Sequence, residues 1–249
     1  MNYLVCIDDT DMPGTRGTGW LVEKLCGILK QRGLADTSAI SRHQLFVHDD
    51  IPYTSHNSSM CFELTLKQGI IRPIIELIAD FLETWSEKGS DPGLCVTEIT
   101  EDLDRKSLIE FGENAKIKIF SKEAAYALSL KTGVHLSEHG GTGQGVVGAM
   151  AGIGLRLSGN DGRYRGWYHL GQPGEIVSVK TLCGYPYIDQ LVTRSGACLP
   201  VDSNVHIGSE KTKTIRMGHK QVIVVTANED AEYTGIPYRT ITKKEAKEY

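Results

Sequence analysis

The chain has 249 residues, with 27 Lys and Arg against 31 Asp and Glu, a formal net charge of −4 with histidine neutral. Hydrophobic residues make up 40% and charged residues 23%, which excludes a disordered or fibrous protein and allows one large domain or two modest ones. A sequence pI of about 6.1 argues against a protein held mainly on nucleic-acid phosphates, although a local basic patch is compatible with it.

No apolar run approaches the roughly 18 residues of a membrane span, and the amino terminus reaches acidic residues too early for a signal peptide. Cys6, Cys26, Cys61, Cys95, Cys183 and Cys198 form no CxxC pair. They read as small buried hydrophobes of a reducing compartment, so the expected location is the cytoplasm, without disulfides or zinc.

In chain order, YLVCI at 3–7 reads as a short buried strand ending at Asp8-Asp9-Thr10-Asp11. After the turn-rich MPGTRGTG, a helix is expected from Trp20 to Lys30, with Leu21, Leu25, Ile28 and Leu29 at helical spacing and Gly33 closing it. Strands are expected at Thr37–Val47 and Met60–Leu66, an amphipathic helix over about Ile70–Trp85, and a strand at Gly93–Val96. Strand, helix, strand, strand, helix, strand is the split βαβ, ferredoxin-like order: an α+β fold with an antiparallel sheet and helices on one face. Helical patterns follow at about 105–119 and 121–131, then a glycine loop and a helix of small residues from Val146 to Leu157. Beyond it the pattern is β-rich, with strands near 163–170, 175–182, 203–208 and 221–226. The tail TKKEAKEY reads as frayed or as a short surface helix. The expected division is 1–170 and 171–249, with the boundary near Gly171–Gly174.

Three segments carry candidate chemistry. Asp8, Asp9 and Asp11 crowd four positions at the end of a strand, and such carboxylates stay ionised more easily beside a divalent cation such as Mg²⁺. Strand alternation points Asp9 and Asp11 one way and Asp8 the other, so Asp9 and Asp11 are the better ligands, with Asp8 joining after a bend or supporting them. Gly14, Gly17 and Gly19 permit close backbone approach, Thr15 among them is a further nucleotide-binding candidate, and Thr18 can cap the next helix, whose amino end favours phosphate. The competing reading is an acidic turn followed by a capped helix. The polar segment IPYTSHN offers His56 and Asn57 as ligand hydrogen-bonding groups or as an ordinary hairpin loop. It is expected at the sheet end opposite the loop that leaves the first strand. Gly140, Gly141, Thr142, Gly143 and Gly145 form a second candidate anion loop, with a mobile surface loop as the alternative. Lys211, Lys213, Arg216, His219 and Lys220 form a basic cluster, expected on a hairpin, with no aromatic residue interleaved in sequence.

The runs VCIDDTD, IPYTSHN and GQGVVGAMAGIG together resemble the tRNA-Ile 2-agmatinylcytidine synthetases (TiaS), whose corresponding runs look like GIDDTDS…GMCTTY, IPYKTRGN and G-x-G-[LV]-IGALAA. The resemblance covers roughly residues 1–170 and concerns the kinase-like catalytic module. It implies ATP and Mg²⁺ as cofactors, with Asp8, Asp9 and Asp11 as metal- and phosphate-handling acids and Thr18 at the place of a phosphorylated threonine. It also implies activation of a tRNA cytidine by phosphorylation and displacement of that phosphate by agmatine. This chain departs at Gly19, where the family has a second threonine, and at Thr54 and His56, where it has lysine and arginine. The family carries an OB-fold and a zinc ribbon for tRNA after its catalytic part; these 249 residues hold no CxxC pair, so neither is expected here. The expectation is therefore an Mg²⁺-dependent, ATP-hydrolysing phosphotransferase or ligase whose acceptor is unidentified, an amine or a tRNA, with the oligomeric state left open. Two alternatives stand beside it: a tRNA-modifying enzyme that draws RNA binding from a partner or from the 211–220 cluster, and a nucleotide sensor that performs no transfer.

Overall fold

A computed structural model describes residues 1–51 and 57–249, which fall into two units, Met1–Ser158 and Gly159–Tyr249. In the first unit, β1 (Asn2–Asp8) leads to α1 (Thr18–Gln31), and β2 (Ala35–Thr37) and β3 (Ser41–Gln44) precede β4 (Ser58–Leu66). Then come α2 (Arg72–Trp85), β5 (Gly93–Glu98), α3 (Arg105–Asn114), α4 (Lys122–Thr132), β6 (His135–Glu138) and α5 (Gly145–Ser158). The sheet order is β6-β5-β1-β4-β3, with β2 also on β4 and all these pairings antiparallel. Reading β2 and β3 as one interrupted strand, β1 to β5 have the ferredoxin-like order.

The interruption has a local cause. At Ser38 the backbone leaves the ladder, its amide donating to Glu63 O (2.9 Å) and its hydroxyl accepting from Glu63 N (2.9 Å). The expected strand over Thr37–Val47 is thus two short pieces. Residues 135–138, read from sequence as part of a loop, form the edge strand β6.

The two helices of the split βαβ unit, α1 and α2, share one face of the sheet as expected, and α3 and α5, which follow that unit, cover the other. Tyr3, Val5 and Ile7 of β1 pack against Leu21, Leu25 and Leu29 of α1 and Ile78 and Leu82 of α2. The alternate residues Leu4 and Cys6, with Cys61 and Cys95, pack against Leu108 and Phe111 of α3 and Met150 and Ile153 of α5. A strand buried on both sides reads as a continuous apolar run because neither parity meets water, and YLVCI is such a run.

Helix α5 lies close to its neighbours because its stripe of small residues leaves room. A Cβ at Gly152 would collide with Cys6 Sγ and Ser59 Oγ, and one at Gly154 with the Leu108 carbonyl of α3. Its Arg156 is buried yet charged. The guanidinium donates to Glu63 (2.9 Å), Ser41 (2.8 Å) and Ser38 (3.1 Å), binding α5 to the interrupted edge. Of the six cysteines, all free, Cys6, Cys61 and Cys95 are buried as expected, while Cys198 is exposed.

The second unit contains β7 (Arg163–Tyr164), β8 (Ile176–Ser178), α6 (Val179–Leu182), β9 (Gln190–Thr193), β10 (Asn204–His206) and β11 (Ile215–Met217). β12 (Lys220–Ala227), α7 (Ala231–Thr234) and β13 (Tyr238–Thr240) follow, and a 3₁₀ turn closes the chain at Glu245–Glu248. β12 pairs with β11 and β13 antiparallel and with β9 parallel. Gly218 and His219 join β11 to β12, both at positive φ, as a two-residue hairpin turn demands.

The strand expected over 175–182 stops at Ser178, whose hydroxyl accepts from Thr181 N (3.1 Å) and starts α6. The tail is docked rather than frayed: Ala246 is buried, and Glu245 accepts from Arg239 (3.0 Å) and Arg194 (2.8 Å). Among the described residues no helix is long and apolar enough to cross a membrane.

Candidate active site

Strand direction decides what meets at the end of β1. β1 and β3 both run antiparallel to β4, so the chain entering β4 does so at the carboxyl end of β1, where Ile7 pairs with Met60. Sequence reasoning placed that segment at the opposite end of the sheet; the structure reverses this, because strands one and two of a split βαβ unit are parallel and their following loops emerge on one side. Asn57 therefore joins the aspartates. His56, with 52–55, lies outside the described residues. Gly93, the first residue of β5, pairs with Asp8 and Glu138, so the loops after β1 and β6 and those before β4 and β5 all gather at one edge.

At that edge is a cleft of about 610 Å³. Asp8, Asp9, Asp11 and Thr18 line it together with Asn57 and Ser58, Gln144, Gly145, Val147 and Gly148 at the start of α5, and Lys118 to Ser121 between α3 and α4. The volume lies in the range of small-molecule sites.

The backbone bends at Asp9, whose φ is +52°. Aspartate tolerates this left-handed conformation better than most residues. The bend cancels strand alternation, so Asp8, Asp9 and Asp11 all reach the same cleft. Asp8 is buried: its Oδ1 accepts from the Asp9 amide (2.9 Å), and its Oδ2 lies where a Cβ at Gly148 would stand. The positive end of the α5 dipole therefore faces a carboxylate. Burial, and then the Asp9 charge, pushes the Asp8 carboxyl up to about 8. Burial, and then Asp91 and Asp11, raises Asp9 to about 6.

Asp11 has a different task. Its Oδ1 accepts from the Thr18 hydroxyl (3.0 Å) and the Thr18 amide (3.3 Å), while Thr18 Oγ1 accepts from the Thr10 hydroxyl (3.1 Å). Thr18 was expected to cap the following helix; instead it is the first residue of α1, Gly17 precedes it with no side-chain cap, and Asp11 satisfies its amide from across the loop. Of the other residues singled out there, Gly14 turns the chain at φ +85° and Thr15 closes that turn on Met12 O (2.9 Å), whereas Gly19 lies inside α1; none of these three lines the cleft.

The glycine loop meets the site only at its end. Gly145 lines the cleft; Gly140, Gly141, Thr142 and Gly143 do not. Its amides have a partner within the chain: Asp91 Oδ1 accepts from Gly143 N (3.2 Å) and from Thr142 N. Side chains at Gly141 and Gly143 would overlap Asp91 and Glu138, and one at Gly145 the Asp91 carbonyl. Lys122 holds the loop from outside, donating to Thr142 O (2.8 Å) and Glu138 (3.1 Å). Sequence alone gave no sign of Asp91, which lies 51 residues away from Thr142.

Among the described residues no group of three or more His, Cys, Asp or Glu is gathered closely enough to cage a metal ion by itself. Mg²⁺ does not require such a cage: it is held by one or two carboxylates together with waters and phosphate oxygens. The donors here are oxygens, and two are carboxylates whose burial disfavours their charge, the setting a bound divalent cation would relieve.

No family model matches the chain, and no curated protein does. Solved structures do. A tRNA fluorescent labeling enzyme aligns with a TM-score of 0.53 at 22% identity over 62% of this chain and 36% of that one. A complex of TiaS with an isoleucine tRNA and ATP gives 0.53 at 20% identity over 62% and 36%. A complex of TiaS with the same tRNA, AMPCPP and agmatine gives 0.52 at 17% identity over 86% and 52%. The fold is that of TiaS. The chain spans between about a third and a half of the length of these TiaS proteins. The resemblance read from IDDTD and its companion runs thus agrees with the three-dimensional likeness.

Proposed function

We propose that the chain is an Mg²⁺-dependent, ATP-using phosphotransferase or ligase of TiaS type, acting on an amine or RNA acceptor in the cytoplasm. The observation that carries the reading is the convergence of Asp8, Asp9, Asp11 and Thr18 with the start of α5 on one cleft. Its size suits a nucleotide, and the solved structures of like fold include complexes with ATP, AMPCPP, tRNA and agmatine.

In this reading Asp8 and Asp9 would hold Mg²⁺, which when bound neutralises phosphate oxygens and offsets the crowding of the acids. Asp11 holds the Thr18 hydroxyl and is placed to take its proton. If Thr18 attacks a phosphoryl group, its Oγ1 forms the new bond to phosphorus, the bond to the nucleotide oxygen breaks, and the proton passes to Asp11. Lys118 also lines the cleft and supplies positive charge, while Asn57, whose Nδ2 donates to Phe46 O (2.6 Å), offers its amide oxygen.

Incubation with γ-labelled ATP and Mg²⁺ tests the reading. Label is expected on Thr18 or on an added amine or RNA, and lost in Thr18→Val if Thr18 is the acceptor. ATP left intact after long incubation, with binding preserved, identifies a nucleotide sensor instead and refutes the transfer step.

A further inference from the structure

The basic cluster at 211–220 changes membership on folding. Arg216 turns inward, buried, with its guanidinium on the Tyr164 hydroxyl (3.0 Å). Lys220 is bonded to Gln190 (2.9 Å), and the His219 ring packs where a Cβ at Gly159 would stand. Lys213 donates to the Tyr164 and Gly166 carbonyls (3.4 and 3.1 Å) while Lys211 is exposed, and the fold adds other residues to these two.

Residues 163–169 run antiparallel to 211–215. Tyr164 N donates to Thr214 O (2.9 Å), and Tyr168 and Thr212 exchange backbone hydrogen bonds (2.9 and 3.0 Å). Tyr164, Thr212 and Thr214 are buried and Tyr168 packs against the core. Between and beyond these paired residues lie Arg165, Trp167 and His169 in one segment, and Lys211 and Lys213 to either side of Thr212 in the other. The first three and Lys211 are exposed, Trp167 at 41%. Lys213 Nζ lies 4.5 Å from the Trp167 ring centre, and Lys243 Nζ, from beyond β13, lies 5.8 Å from it. Glu210 accepts from the Lys243 amide (2.7 Å) beside these residues. An aromatic residue is thus interleaved with the cations after all, supplied by a segment 46 residues earlier than Lys213 rather than by neighbours in sequence.

An exposed indole among cations suits a polyanion with flat bases: the ring stacks, and the lysines meet phosphates. We propose that the face bearing Arg165, Trp167, Lys211, Lys213 and Lys243 binds single-stranded RNA, the acceptor class left open under the proposed function, on which this inference rests for its biological meaning. One base stacks on Trp167, and the flanking phosphates lie against Lys211 and Lys243.

Fluorescence anisotropy of the full chain with a labelled single-stranded RNA oligonucleotide, titrated over a range of NaCl concentrations, tests it. Trp167→Ala is expected to weaken binding by about 5- to 100-fold, the range of one lost base stack. Lys211→Ala with Lys243→Ala is expected to flatten the plot of log affinity against log salt by about 0.7 for each phosphate that is no longer neutralised. Both variants should keep parental ATP–Mg²⁺ binding and parental melting temperature. RNA binding unchanged in Trp167→Ala and in the double lysine variant, or absent in the parent at low salt, overturns the proposal. ATP binding without RNA binding sinks this inference alone, whereas Trp167-dependent RNA binding without ATP binding sinks the reading of the cleft alone. Capture of a protein on this face with no RNA affinity would also overturn it.

Discussion

Replacing Asp8 by Asn removes one charge from a buried position while keeping an oxygen to accept the Asp9 amide (2.9 Å). In the metal-free protein the Asp8 carboxyl is raised from 3.8 to about 8. A carboxyl raised on folding contributes full stability below its unfolded value, and that contribution is lost as the pH climbs through the folded value. The parent should therefore lose stability progressively from about pH 4 to about pH 8. At about 1.4 kcal/mol per pH unit the loss has a ceiling of about 6 kcal/mol, which water entry on ionisation would reduce to a few. Asp8→Asn cannot ionise there, and it also relieves Asp9, whose own carboxyl is raised to about 6. Urea denaturation in EDTA at pH 5, 7 and 8.5 is the assay. The variant should exceed the parent by no more than about 1.5 kcal/mol at pH 5 and by a few kcal/mol at pH 8.5, while Mg²⁺ stabilises the parent alone. Parallel stability profiles for the two proteins would show that Asp8 is not held against its charge, and would refute this account of the cluster.

Gly148→Ala places a methyl on the Asp8 carboxylate, so we expect a loss of about 1–3 kcal/mol from overpacking and weakened ATP–Mg²⁺ binding, read by thermal melting and calorimetry; unchanged binding would place the nucleotide away from Asp8. Arg156→Ala removes a donor from Ser41, Ser38 and the partly exposed Glu63 and should cost about 1–3 kcal/mol, measured by denaturant unfolding, whereas Arg156→Met should recover part of that loss. A fall below about 1 kcal/mol for Arg156→Ala would mean that the network is replaced by water.

The fold of the first unit was legible because its signals are local. YLVCI, the 3.6-residue period of 70–85 and the small-residue run from Val146 each announce their element, and their order gives the sheet. What escaped depends on partners distant in sequence. β6 is a four-residue edge strand defined by pairing with β5, and the break at Ser38 is set by Glu63. In the site, the acids were legible as a cluster, but their division of labour was not. Alternation predicts one side for Asp9 and Asp11; a single positive φ at Asp9 turns all three acids into the cleft and leaves Asp11 to hold Thr18. The glycine loop is rich in glycine because Asp91, Glu138 and the β5 backbone press against it, a reason that lies in chain segments outside the motif. The basic cluster likewise lost Arg216 to the interior and gained Trp167 through strand pairing.

Crystals grown with Mn²⁺ and a non-hydrolysable ATP analogue, and measured for anomalous scattering, bear most directly on the cleft. We expect a manganese peak between the Asp8 and Asp9 carboxylates, touching the phosphates of a nucleotide laid toward Thr18 and the start of α5. A nucleotide bound elsewhere, or no peak at those two carboxylates, would contradict the assignment.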